Sequence, residues 1–210
     1  MERLLKKATG LAARNARLFD ALRWVLEGGY RGELRVIRDE VRPHGGRVLD
    51  VGCGTGIFAA CFPPGQYTGI DVSEGYIEAA RRKHPGHTFA CHDACAMPFA
   101  QGSFDVCIVS GVLHHLDDET AVRLLRELAR VLKNDGSCII WEDVPARSRW
   151  NVIGAFAHRF DEGSHIRLAE AYRRLASAAF SVARAYPMRS GFMDYEVLVC
   201  HQAGRNSGEA

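Results

Sequence analysis

The sequence predicts an α/β fold: a doubly wound, mostly parallel seven-stranded sheet that ends in an antiparallel hairpin and follows a helical preface. Three observations carry this. From Arg47 onward, short apolar runs alternate with amphipathic helical stretches, as in repeated βα units on a parallel sheet. The first run breaks into Asp50-Val51-Gly52-Cys53-Gly54-Thr55-Gly56, a turn that needs glycine where φ is positive or a ligand lies against bare backbone. Near the end, two β-like runs at 180–186 and 195–201 have no crossover helix between them, so they pair antiparallel.

Taken in order, residues 2–27 place Leu4, Leu11, Leu18, Leu22, Val25 and Leu26 on helical spacing, and Gly28-Gly29 stops that helix. A second amphipathic piece spans 32–42 and ends at Pro43. Strand one is 47–51, followed by a helix from about residue 55 that Pro63-Pro64 cuts short. Strand two is 67–72, and Ser73 caps a helix running to about His84. Strand three is 88–91. Strand four, 104–110, is almost wholly apolar, as suits a strand buried on both faces. Asp117 or Asp118 caps the next helix, Asn134-Asp135-Gly136 closes it, and strand five is 138–143. After a segment of mixed character, a helix is expected at 166–179, and then the hairpin.

This divides the chain into helices at 1–44 forming a lid or cap, a main domain at 45–202 with a substrate-cap insertion at 145–166, and a small polar tail at 203–210. A chain of 210 residues suits one such domain with additions. Net charge is only +2, which gives no global pull toward nucleic acid. Residues 1–47 nevertheless carry eleven Lys and Arg against six Asp and Glu. That basic face is either a solvated helix surface or a docking face for an anionic partner. Seven cysteines, an odd number and mostly within apolar runs, read as buried thiols in a reducing cytoplasm. No apolar run approaches the ~20 residues that cross a bilayer, which leaves peripheral membrane contact open.

Two readings compete for the glycine turn. Gly54-x-Gly56-x-x-Ala59, with Asp71 downstream, matches a dinucleotide fingerprint. Asp50, however, would face a pyrophosphate dianion across a low-dielectric crevice, a costly repulsion. A carboxylate there suits a ligand bearing a cationic amine. The Asp-x-Gly-x-Gly-x-Gly run resembles the first motif of class I S-adenosylmethionine-dependent methyltransferases, and the likeness continues in order along the chain. Gly69-Ile70-Asp71-Val72 and Cys91-His92-Asp93-Ala94 resemble the next two motifs. Residues 104–116, ending in Ser110-Gly111-Val112-Leu113-His114-His115-Leu116, resemble the fourth-strand motif of the small-molecule branch found in quinone-pathway methyltransferases.

The resemblance implies a Rossmann-like fold and S-adenosylmethionine as cofactor, with S-adenosylhomocysteine as product. It implies that Asp71 holds the ribose hydroxyls, Val72 lies against adenine and Asp93 reads the adenine amine. It also puts Asp50, Gly52, Cys53, Gly54, Gly56, Ala94 and Ser110 among the cofactor contacts. The expected acceptor is a small or lipid-like molecule, methylated at oxygen, carbon or nitrogen, and no nucleic acid is expected. The alternatives are a methyltransferase acting on RNA or protein through the basic preface, and a binding module without turnover.

Further residues have open roles. His114 or His115 is a candidate base, since histidine titrates near neutrality, or the pair shapes the loop. Cys91-His92-Asp93-Ala94-Cys95 has no zinc spacing, so no metal is expected. In 160–167, Asp161, His165 and Arg167 are candidates to bind a polar or anionic acceptor group, and Ser164 is alternatively an N-cap. Trp150, Phe156 and Phe160 either wall an apolar acceptor or pack the preface. The oligomeric state is not encoded in any motif.

Overall fold

The computed structural model describes residues 16–42, 45–148, 150–151, 153–154 and 165–203, with backbone only at 16–19. Leu4, Leu11, Phe156, Phe160, Asp161 and Ser164 lie outside the described residues, as does the side chain of Leu18.

Seven strands form one sheet: β1 (Val48–Val51), β2 (Tyr67–Asp71), β3 (Thr88–Cys91), β4 (Phe104–Ser110), β5 (Leu132–Asp143), β6 (Phe180–Ser190) and β7 (Met193–Gln202). Their spatial order is β3-β2-β1-β4-β5-β7-β6. β1 to β5 are parallel, and β7 runs antiparallel to both β5 and β6. The expected architecture holds. Strand order reverses between β1 and β4, which opens a crevice at their carboxyl ends.

The alternating pleat splits the core in two. Leu49, Val51, Cys107, Val109, Cys138 and Ile140 face helices α4 (Asp118–Val131) and α5 (Ala169–Ala176). Val48, Val106, Ile108, Ile139 and Trp141 face α3 (Glu74–Lys83) and the preface. In the preface, α1 (Ala16–Leu26) is followed by α2 (Arg31–Val36) and a wider π turn (Ile37–Val41). Tyr30, Val36, Ile37 and Val41 are buried in the sheet's own core, so residues 30–41 share that core with the strands.

Helix α1 follows a different course. The Thr55 hydroxyl donates to the Asp20 carboxylate (2.8 and 2.9 Å), and Phe192 N donates to Leu26 O (2.8 Å). The helix therefore bridges from the glycine turn to the β6–β7 turn, along the carboxyl edge of the sheet.

Three local expectations need correction. No α-helix follows β1: residues 54–58 are turns, and only a 3-10 turn forms, Ala59–Cys61. Gly54 and Gly56 sit at positive φ, outside the right-handed helical region, and Pro63-Pro64 closes the segment seven residues later. Asn134-Asp135-Gly136 lies inside the irregular start of β5, where the pairing with β4 shifts register. The expected run 180–186 is longer in fact, since β6 continues through Pro187 to Ser190. β6 is the sheet edge, where a missing N–H is tolerated.

Candidate active site

Every sequence-predicted cofactor residue lies at the carboxyl edge around the β1/β4 crevice. After β1, Gly52 N and Cys53 N both donate to Ile70 O on β2 (2.8 and 3.0 Å), which fixes the turn. A Cβ on Gly52 would stand 2.3 Å from Val112 Cγ2, whereas one on Gly54 would meet nothing within 4 Å. Gly52 is thus a packing glycine, and Gly54, at φ 53°, leaves bare backbone facing open space.

Asp50 is 1% exposed. Its Oδ2 accepts from the Tyr67 hydroxyl at 2.6 Å, and its Oδ1 has no hydrogen-bond partner. Burial pushes its pKa up to about 7, against the Tyr67 hydrogen bond that lowers it, and the charge of Asp71 adds to the rise. Asp71, ending β2, accepts from Gly54 N at Oδ2 (3.0 Å) and from Ser73 N at Oδ1 (2.8 Å). It braces the turn, and Ser73 then caps α3 by accepting from Tyr76 N. Val72 beside it is 72% exposed, an unusual setting for valine. Asp93 follows β3 and accepts from Cys95 N (2.8 Å), with Ala94 half-buried beside it. Cys53 is buried, and burial pushes its thiol far up, so it is no nucleophile.

Beyond Ser110, half-buried at the end of β4, the chain is organised by a residue that the sequence motifs do not single out. Glu142 Oε1 accepts from Val112 N (2.8 Å) and Leu113 N (2.7 Å), and Oε2 accepts from His114 N (3.3 Å) and contacts His114 Nδ1 (2.9 Å). One buried carboxylate thus holds three successive amides and an imidazole, a charge-assisted arrangement. A signal for it exists in the sequence: an acid ends an apolar strand at Glu142, as one does at Asp50.

The two histidines differ. His114 is 3% exposed and held on Glu142, whereas His115 is exposed, its ring centroid 4.1 Å from that of His114. His165 N donates to His114 O (2.9 Å), which brings the segment before α5 onto this loop. Arg167 follows it and directs five N–H bonds into the protein: Nε and Nη2 to Asp118 (2.9 and 2.7 Å), Nη1 to Leu113 O and His165 O (2.7 and 3.0 Å), Nη2 to Leu116 O (2.6 Å). A guanidinium has five such hydrogens, so Arg167 clamps the His114–His115 loop with none left for an acceptor. Trp150 is 79% exposed and stands apart, toward the β6–β7 turn.

The sheet order with its reversed last strand, and the acids set around a glycine turn, define a class: an α/β methyltransferase fold with its ligand crevice at the β1/β4 switch. Comparison makes it particular. Residues 49–140 match the family model of a methyltransferase domain. The ubiquinone/menaquinone biosynthesis C-methyltransferase UbiE of Desulfotalea psychrophila is 35% identical over 120 residues, covering 54% of this chain and 47% of that protein. A tRNA (carboxymethyluridine(34)-5-O)-methyltransferase of Xenopus tropicalis is 35% identical over 100 residues, covering 47% of this chain and 16% of that one. The chain therefore spans less than half the length of these curated relatives. The PH0226 protein of Pyrococcus horikoshii shares the fold, with TM-score 0.65 at 19% identity, over 83% of this chain and 91% of that one. Residues 49–140 thus form a methyltransferase domain of the class I S-adenosylmethionine-dependent kind. Among the described residues, no helix is long and apolar enough to cross a membrane.

Proposed function

We propose that this protein transfers the methyl group of S-adenosylmethionine to an oxygen, carbon or nitrogen of a small-molecule or lipid-like acceptor. The observation that carries the reading is the set of three acids, Asp50, Asp71 and Asp93, at the carboxyl ends of three neighbouring strands, β1, β2 and β3, beside the open backbone of Gly54. The residues fit the cofactor chemically. The orphaned Oδ1 of Asp50 suits a cationic amine, and exposed Val72 beside Asp71 suits an apolar base over a ribose.

Once bound, the cofactor supplies an already activated sulfonium methyl group. The protein's task is then chiefly to hold acceptor and methyl group in line, an effect worth up to about 7–11 kcal/mol. In this reading, Asp71 and Asp93 grip ribose and adenine, and Gly52, Cys53, Gly54, Gly56, Ala94 and Ser110 line the cofactor. The Glu142-held loop forms the wall on the acceptor side. His114 is a positioning residue, and His115, exposed at the same loop, takes a proton where the acceptor must lose one. Helix α1, fastened at Asp20 and Leu26, acts as the lid.

The likeness to a tRNA methyltransferase favours RNA as the second reading of the acceptor. Incubation of the protein with methyl-labelled S-adenosylmethionine and fractionated cell extract tests the choice. Label is expected in the lipid or small-molecule fraction. Label confined to RNA would replace the proposed acceptor, and S-adenosylmethionine binding without label in any fraction would leave a binding module.

A further inference from the structure

A cavity of about 460 Å³ lies beside the crevice, lined by Ser148, Trp150, Asn151, Ile153, Arg189 and Phe192. That volume suits a small ligand. Its position follows from the topology: β7 is antiparallel to β5 with Tyr195 opposite Asp143, so the β6–β7 turn at 190–193 emerges at the same edge as the glycine turn. β7 stands two strand spacings from β4, or about 10 Å. A chain of short contacts links cavity and crevice: His114 Nδ1 lies 3.9 Å from Asp143 Oδ2, Val144 N donates to Asp194 O, and Asn151 Nδ2 donates to Asp194 Oδ2 and Phe192 O.

The lining has two chemical characters. Trp150, Ile153 and Phe192 are 79%, 49% and 37% exposed and form a cluster of large apolar side chains. Arg189 adds a cation. Its Nε donates to Gly191 O at 3.2 Å, and among the described residues it makes no ion pair. The carboxylate of Asp194, opposite it in register, is buried and turned to Arg147 N (3.1 Å) and Asn151 Nδ2 (3.3 Å). The Arg147 guanidinium is paired with Glu196 (2.7 Å).

We infer that this cavity holds the far end of the methyl acceptor, an elongated molecule with an apolar body and an anionic group that Arg189 reads. Its methyl-accepting atom then lies at the His114–His115 loop, three strand spacings from Arg189 on β6, or about 14 Å. The inference rests on the methyl-transfer reading and gives its acceptor a chemical class.

Calorimetry on the full chain saturated with S-adenosylhomocysteine tests it, with octanoate and octanol as probes. Octanoate should bind at least about fivefold more tightly than octanol, as expected of one partly exposed charge-assisted contact. Arg189→Gln should bring the ratio close to one, Arg189→Lys should keep part of it, and Phe192→Ala should weaken both probes alike. Equal binding of the two probes by the wild type, or no binding of either, would overturn the inference. So would co-sedimentation with phosphatidylglycerol vesicles without octanoate binding, since the patch would then be a membrane contact. Failure of S-adenosylhomocysteine itself to bind would instead refute the methyl-transfer reading.

Discussion

Tyr67 is a core residue whose hydroxyl has a site-directed role. It stands on β2, fully buried, and donates to Asp50 on β1. This hydrogen bond lowers the pKa of Asp50, which burial has pushed up to about 7. Cofactor binding through a cationic amine needs Asp50 ionised, so affinity should fall as pH drops through about 7. Tyr67→Phe removes the lowering contact, and the midpoint should move upward. Well below the wild-type midpoint, S-adenosylmethionine should bind roughly tenfold more weakly for every pH unit by which the midpoint has risen, with affinity recovered above the new midpoint. Calorimetry across a pH series reads this directly. A weaker affinity with the same midpoint as wild type would mean that Tyr67 acts only through packing. The acids at the strand ends are legible from sequence because a carboxylate closing an apolar run is conspicuous. Glu142 carries the same mark, but its partners are backbone amides, which no residue pattern displays. Arg167 reads as an acceptor contact for a related reason: a sequence displays a guanidinium but not the carbonyls that occupy it.

At the scale of elements, the joint between the preface and the β6–β7 turn buries a titratable group. Ser190 Oγ is hydrogen-bonded to Glu27 O (2.7 Å) and to the Glu33 carboxyl, and it accepts from Gly32 N (3.1 Å). Arg23 Nε pairs with Glu27 (2.6 Å). Burial, and then the charge of Glu27, push Glu33 up to about 9. The folded protein therefore keeps a proton that the unfolded chain releases near the ordinary glutamate pKa. Stability from this group is complete below that lower value and is lost as pH rises toward about 9. Glu33→Gln, an uncharged isostere, should flatten this slope, so urea midpoints should exceed the wild type's on the alkaline side and converge with them in acid. A parallel decline in both proteins would locate the pH sensitivity elsewhere. The strands are the readable elements, because β1, β4 and β5 are buried on both faces and so nearly continuous in apolar character. The missing helix after β1 is less readable. A glycine-rich turn and a proline pair each fit a helix boundary, and no residue pattern displays the positive φ that Gly54 and Gly56 adopt between them.

For the whole molecule, one edge of the sheet gathers everything that the sequence scatters. The glycine turn, the Glu142-held loop, the β6–β7 turn and helix α1 all meet at the carboxyl ends of the strands. The doubly wound order produces this, since every parallel strand delivers its following loop to the same side. The cofactor half of that edge follows a pattern common to the class, which is why residues 49–140 match a family model. In the proposed reading the acceptor half adds the β6–β7 turn and the segment around Trp150, which lie outside the span that the family model matches. The central claim concerns the cofactor half, and calorimetry with S-adenosylmethionine and NAD, on wild type and Asp71→Ala, tests it most directly. The account predicts that wild type binds S-adenosylmethionine and not NAD. Asp71→Ala should weaken binding by about tenfold to a hundredfold, through loss of a charged contact and of the brace on Gly54. Binding of NAD, or S-adenosylmethionine binding unchanged by the substitution, would contradict it.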